Sequence, residues 1–176
     1  MATIYNGKHC VFEQVGLDAD IIQWNPTSNV DSDNAYNDWN ISDMRNTHLP
    51  TRLLLLSSAL QSNLTNTTIQ TATNGNNGIL ISTSDKLFIA AEKEMTGTRQ
   101  YSRTEEFNAL TTWTYWTTHT QASDRIKYDP TSTAQRYWLR SPYSGDTSRV
   151  VDIFSYGVFG IDVAYGSFRV SLCYAF

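Results

Sequence analysis

Near its C-terminus the chain places side chains of opposite character at alternate positions. Val151, Ile153 and Ser155 interleave with Asp152, Phe154 and Tyr156; after Gly157 and an intervening stretch, Val170, Leu172, Tyr174 and Phe176 interleave with Arg169, Ser171, Cys173 and Ala175. Successive side chains leave a pleated backbone on opposite faces, so a period of two marks a half-buried strand. The pattern commits this end to two or three antiparallel strands, with Gly157 turning the chain between them. The same stretch is restricted in composition. Lys, Glu, Gln, Met and Trp supply 24 of the first 140 residues and none of the last 36, so the tail draws on a narrower palette rich in Tyr, Phe, Val, Ser, Gly and Asp. Strand propensity accounts for part of that bias.

The helices must then come from upstream. Ser42 stands as a capping residue before Asp43-Met44-Arg45, and Pro50 suits a first helical turn. Leu53, Leu54, Leu56, Ala59, Leu60 and Leu64 recur at helical spacing, which predicts one amphipathic helix, or two short ones bent at Ser57-Ser58, with its leucines in the core. Ile4 and Cys10 to Phe12 flank the turn dipeptide Asn6-Gly7, predicting an N-terminal hairpin or single strand. Asp18 to Asn40 reads as loop. Ile79 to Ile81 and Lys86 to Ala90 read as strands, followed by a short helix over Ala91 to Met95. The polar stretch from Thr96 to Thr133 carries Trp113, Tyr115 and Trp116, rings that must pack on something. At 176 residues, we read one domain over 1–176.

Composition narrows the function. A formal charge of -4 provides no clustered cations for a phosphate backbone, so no nucleic-acid partner is expected. The run Leu53-Leu54-Leu55-Leu56 is far short of the roughly 20 apolar residues that span a bilayer, and the N-terminus has neither a basic start nor an apolar core. No membrane insertion or classical signal peptide is predicted. His9, His48 and His119 have no metal-ligand spacing, and no cofactor or metal is expected. Asp18, Asp20, Asp31, Asp33 and Asp43 lack the calcium-loop spacing. The pairs Glu92 with Glu94 and Glu105 with Glu106 read as solvated faces, too close in sequence to flank a substrate. No enzyme emerges. Cys10 and Cys173 read as two buried thiols, or as a bridge if the ends pair.

Three ordered motifs carry a resemblance. Asp38-Trp39-Asn40-Ile41-Ser42-Asp43-Met44-Arg45, then Thr83-Ser84-Asp85-Lys86-Leu87-Phe88-Ile89-Ala90, then Tyr137-Trp138-Leu139-Arg140-Ser141-Pro142 resemble bacterial and viral domains with W-x-x-S-x-(I/L/M)-R, T-x-D-K-(I/L)-F-L and W-W-L-R-S-P. Those domains close on a segment to which Arg169 to Phe176 is similar, although Ser171 and Leu172 stand where Arg and Pro are common. Several are C-type-lectin-fold variable proteins of diversity-generating retroelements. The resemblance implies an α+β, C-type-lectin-like fold, with two N-terminal helical segments on a small, mostly antiparallel sheet with long loops. It also implies a ligand-binding surface rewritten by adenine-directed mutagenesis of asparagine codons. Randomising the first two bases of AAC excludes Lys, Glu, Gln, Met and Trp, the types missing from the tail.

On that reading a variable region of about 141–170 presents Tyr143, Arg149, Asp152, Phe154, Tyr156, Val158, Phe159, Ile161, Asp162, Tyr165 and Phe168 to a protein or glycan target on a cell or virion surface. Val151, Ile153 and Ser155 then face inward. Tyr and Phe among Ser, Gly and Asp is also the chemistry of antibody loops, rigid anchors among small polar groups. Arg140, between apolar neighbours, is expected to support the scaffold, because a buried guanidinium needs acceptors. Two other readings are a structural module of a viral or surface fibre, and an enzyme of the formylglycine-generating type, which would need a reactive Cys pair or a metal cluster.

Overall fold

The computed structural model describes residues 2–5, 9–25, 37–74 and 78–176, with side chains from Val11 onward. β1 (Ala2–Tyr5) and β2 (His9–Glu13) form the N-terminal antiparallel pair, Ala2 opposite Phe12. β3 (Ile22–Gln23) follows. A single 3-10 turn at Trp39–Ile41 and a π turn at Met44–His48 lead directly into α1 (Leu49–Leu55), and α2 (Ser58–Asn63) comes next. β4 (Thr67–Ala72) and β5 (Leu80–Asp85) make a hairpin. Three short helices, α3 (Glu92–Met95), α4 (Thr104–Ala109) and α5 (Thr114–Thr118), precede the small pair β6 (Lys127–Tyr128) and β7 (Ala134–Gln135). The chain closes with β8 (Tyr137–Pro142), β9 (Arg149–Ile153), β10 (Phe159–Val163), β11 (Ser167–Phe168) and β12 (Cys173–Ala175).

The architecture is α+β, with small antiparallel sheets and few helices among the described residues. Three-stranded sheets run in the orders β1-β2-β12 and β10-β9-β8, and two-stranded ones join β11 to β3, β4 to β5 and β6 to β7. The two chain ends pair, Cys173 opposite Glu13 and Ala175 opposite Val11. Buried Lys127 fastens this junction, its Nζ donating at 2.6 Å to Glu13 Oε1, to the Gln14 carbonyl and to Ser171 Oγ. Trp24, Trp39, Phe88, Trp116, Trp138 and Ile153 belong to one hydrophobic cluster that draws on segments from Val11 to Ala175. Among the described residues no helix is long and apolar enough to cross a membrane.

Several local readings are refined. Ser42 does cap, its Oγ accepting from the Arg45 amide at 3.2 Å. The leucine stretch is two helices, because Ser57 starts α2 by accepting from the Leu60 amide. They lie against the core along one edge only, so Leu64 is buried, Leu53, Leu56 and Leu60 are half-buried, and Leu54 and Ala59 are exposed. The strand predicted over Ile79 to Ile81 is β5, which runs on to Asp85, whereas Lys86 to Ala90 forms no strand: Leu87 to Ala90 is buried chain bridged at Phe88 to Cys173, with the Ile89 and Ala90 carbonyls accepting from Arg140. Cys173 is a free, buried thiol, whereas the side chain of Cys10 lies outside the described residues. The solvated faces predicted for three glutamates are wrong: Glu92, Glu94 and Glu106 are buried, each with hydrogen-bond donors that replace its water.

Candidate ligand-binding face

The three motifs converge on polar nodes that hold the scaffold. Asp85, at the end of β5, receives Arg45 Nε at 2.8 Å on Oδ1, and Trp39 Nε1 at 3.2 Å and Thr83 Oγ1 at 2.6 Å on Oδ2. One carboxylate therefore ties the helical segment to the hairpin. Beside it, Leu49, Leu53, Lys86 and Leu87 line an open cleft of about 250 Å³. Arg140, in β8, is wholly buried and forks onto Glu94, Nη1 and Nη2 each at 2.6 Å, with Nη1 also reaching the Ile89 carbonyl at 2.7 Å. Ser141 accepts from the Glu92 amide and donates to Glu106, which also takes the Ala72 amide at 3.0 Å. Burial pushes the Glu106 carboxyl up to about 7, against the opposing pull of Arg140 and Ser141.

The tail is built on the β8-β9-β10 sheet. Ile153 faces Phe159 and Asp152 faces Gly160 across β9 and β10, so odd-numbered residues share one side with Tyr137 and even-numbered ones share the other with Trp138. Val151, Ile153 and Phe159 line the odd side, all buried; Phe159 lies with the Arg125 guanidinium 4.8 Å from its ring. Ser155 is already past the strand and exposed. The even side is roofed as well. Arg136 and Phe168 lie over it, the latter's ring 4.6 Å from Trp138.

Two predicted contact residues are therefore corrected. Asp152 is fully buried under Arg136, and Phe159 is in the core. The remaining positions divide by exposure. Tyr156 is 59% exposed, Tyr165 45% and Val158 40%. Phe154, Ile161, Asp162 and Phe168 are half-buried, as are Tyr143, whose ring meets Tyr101 edge-on at 6.1 Å, and Arg149, paired with Asp146 at 3.3 Å. Tyr156 and Val158 sit at the β9-β10 turn and Tyr165 at the turn after β10, so the exposed side chains flank this strand at both ends. Gly157 makes the first turn possible. Its φ is +83°, and a Cβ there would lie 1.8 Å from the Ala122 carbonyl oxygen.

What the alternation missed is Arg136, the cation on which the tail converges. Asp152 and Asp162, the two acids on strands β9 and β10 among Val150, Val151, Ile153, Phe159, Ile161 and Val163, were the available signal, since buried carboxylates need a donor. Burial still holds the Asp152 carboxyl above its ordinary range, outweighing the hydrogen bond and charge of Arg136. Among the described residues no group of three or more His, Cys, Asp or Glu is placed to hold a metal ion, and Asp31 and Asp33 lie outside them.

Residues 13–173 match a family described as a domain of unknown function, DUF6273. The chain belongs to the DUF6273 family. Its matched span begins and ends on a cross-strand pair, Glu13 opposite Cys173. No curated protein and no solved structure gives a match.

Proposed function

We propose that this chain is a ligand-binding variable protein. It presents a diversified surface on a C-type-lectin-like scaffold, and its partner is a protein or glycan on a cell or virion surface. The observation that carries the reading is the coincidence of the tail's palette with exposure. In a tail lacking every residue type that NNC codons exclude, Tyr156, Val158 and Tyr165 stand out at turns with 40% or more of their surface free. Exposed aromatic rings beside small polar residues suit adaptable recognition. The lectin-like scaffold is supported by the pairing of the chain ends and by helices set against small antiparallel sheets. Scaffold and display are also separated: the motif residues Trp39, Asp85 and Arg140 meet one another or upstream groups, well before the tail. No chemical step enters this proposal.

The test is the DNA beside the coding sequence. A reverse-transcriptase gene and a near-duplicate of the 3′ coding end, differing only at adenines, are expected; a tail with no such duplicate sinks the retroelement reading. One observation favours the alternative of a fibre module. Leu54 and Leu55 on α1 are 74% and 71% exposed, as a subunit contact would require. Light scattering separates the two, a stable higher oligomer that dissociates on Leu54→Glu supporting the fibre module.

A further inference from the structure

Arg136 stands immediately before β8 and outside the restricted tail, yet the groups that grip its guanidinium come from the tail. Its Nε donates to Asp152 Oδ1 at 2.9 Å and its Nη2 to Asp152 Oδ2 at 2.6 Å. Nη1 pairs with Asp162 Oδ2 at 2.7 Å, and Nη2 also reaches the Ile161 carbonyl at 3.3 Å. Both flat faces are covered, with the Phe154 and Phe168 ring centroids each 4.2 Å from its central carbon. Ring contacts continue in both directions. Phe168 meets buried Trp138 at 4.6 Å with its plane tilted by 55°, and Phe154 stacks parallel to exposed Tyr156 at 5.3 Å with 4° between the planes. A chain of ring contacts thus runs from the core to the most exposed ring of the tail.

Gly160 shows how closely the arrangement is fitted. A Cβ at that position would fall 2.5 Å from the Phe154 ring and 2.8 Å from Asp152 Oδ1. Its absence lets the ring and the carboxylate lie across β10 where the guanidinium meets both. Only arginine satisfies the whole set. A planar fork serves two carboxylates in its plane while offering both faces to rings, whereas a lysine ammonium is a point charge that does one or the other.

We propose that Arg136 is the positioning residue of this face: a fixed guanidinium that joins positions 152, 154, 162 and 168 into one interdependent unit and thereby sets the orientation of Tyr156. The coupling stands on the geometry alone; that Tyr156 meets a partner rests on the display reading above. It follows that the tail is not free at every position. Positions 152 and 162 cannot both lose their acids while Arg136 remains, because a largely buried guanidinium would be left without its counter-ions. Positions 156, 158 and 165 carry no such constraint.

Two full-length libraries on the yeast surface test this, each randomised at 152 and 162 and sorted for protease resistance. One keeps Arg136 and the other carries Arg136→Leu. With Arg136 present, resistant clones are expected to retain Asp or Glu at one or both positions at least tenfold more often than neither, and with Arg136→Leu that preference vanishes. Equal preferences in the two libraries, or none in the first, overturn the proposal. If the leucine library yields no resistant clones, the frequency of doubly neutral clones in the first library decides alone. Positioning is separated from mere stability by fluorine NMR of 3-fluorotyrosine protein, the Tyr156 signal being assigned with Tyr156→Phe. Arg136→Lys is expected to move and sharpen that signal while the buried Tyr137 signal stays in place. A lowered Tm with an unmoved Tyr156 signal reduces Arg136 to a structural residue and overturns the proposal. A third library, varied at 156, 158 and 165 and panned against lysozyme as a probe protein, addresses the display reading separately; failure to find binders there leaves the coupling result intact.

Discussion

Arg140 and Arg136 lie four residues apart on either side of Trp138, and they serve different parts of the molecule. Arg140 is wholly buried and takes its acceptors from upstream, the Glu94 carboxylate and the Ile89 carbonyl. Arg136 is half-buried and takes Asp152, Phe154, Asp162 and Phe168 from the tail. Neither of these partners of the first guanidinium lies in the tail. The second is only as well satisfied as the tail allows. A buried charge needs its partner held in place, since an orphaned internal charge costs more than most packing faults.

The comparison breaks most readily at Arg140. Replacing it with methionine leaves Glu94 buried without its counter-ion, and a loss of about 3–5 kcal/mol in chemical unfolding is expected; a loss below about 1 kcal/mol would make Arg140 no more structural than a surface cation. Next in size is the pH dependence of the neighbouring Glu106, raised from 4.5 to about 7. Its folded pKa lies above its unfolded one, so the folded state holds the proton more tightly. The contribution is complete below the unfolded value and falls away as pH rises from 4.5 to about 7, by up to about 3 kcal/mol. Glu106→Gln should flatten this slope relative to the parent in urea unfolding at about pH 5 and about pH 7, and an unchanged slope contradicts the assignment.

Smaller again is the node at Asp85. Asp85→Asn removes the charge that Arg45 meets and disturbs the acceptors of Trp39 and Thr83, for an expected loss of about 1–3 kcal/mol. Smallest of all is the tail surface. Tyr156→Ala with Tyr165→Ala should leave stability within about 0.5 kcal/mol of the parent by thermal unfolding, because both rings are substantially exposed. A drop of several kcal/mol would place them with the core and erase the distinction between the buried nodes and the exposed tail.

The alternation from Val151 to Ile153 was legible because strand period depends on nothing beyond the backbone: β9 lies where the first alternation put a strand and β12 within the second, whereas β10 falls in the stretch between them that showed no such period. The Ser42 cap and the helix break at Ser57 were legible for the same reason: each acts within a few residues. Exposure was not. Asp152 has the right parity for an outward residue, yet Arg136 and Phe168 cover that side of the sheet. Glu92 and Glu106 look like surface charges in sequence because their donors, the amides of Tyr101 and Ser102 and of Ala72 with the Ser141 hydroxyl, are contributed by distant or non-repeating segments.

By itself, then, the sequence determined the local elements and the palette of the tail. Both follow from properties of single residues and near neighbours: backbone propensity, side-chain alternation and the types present or missing. Which face of the tail sheet meets water, which glutamates are enclosed and which arginine gathers the tail were decided only by tertiary structure. Burial and charge pairing depend on what arrives from elsewhere in the chain, and a side chain's pattern along its own strand cannot report what is laid on top of it.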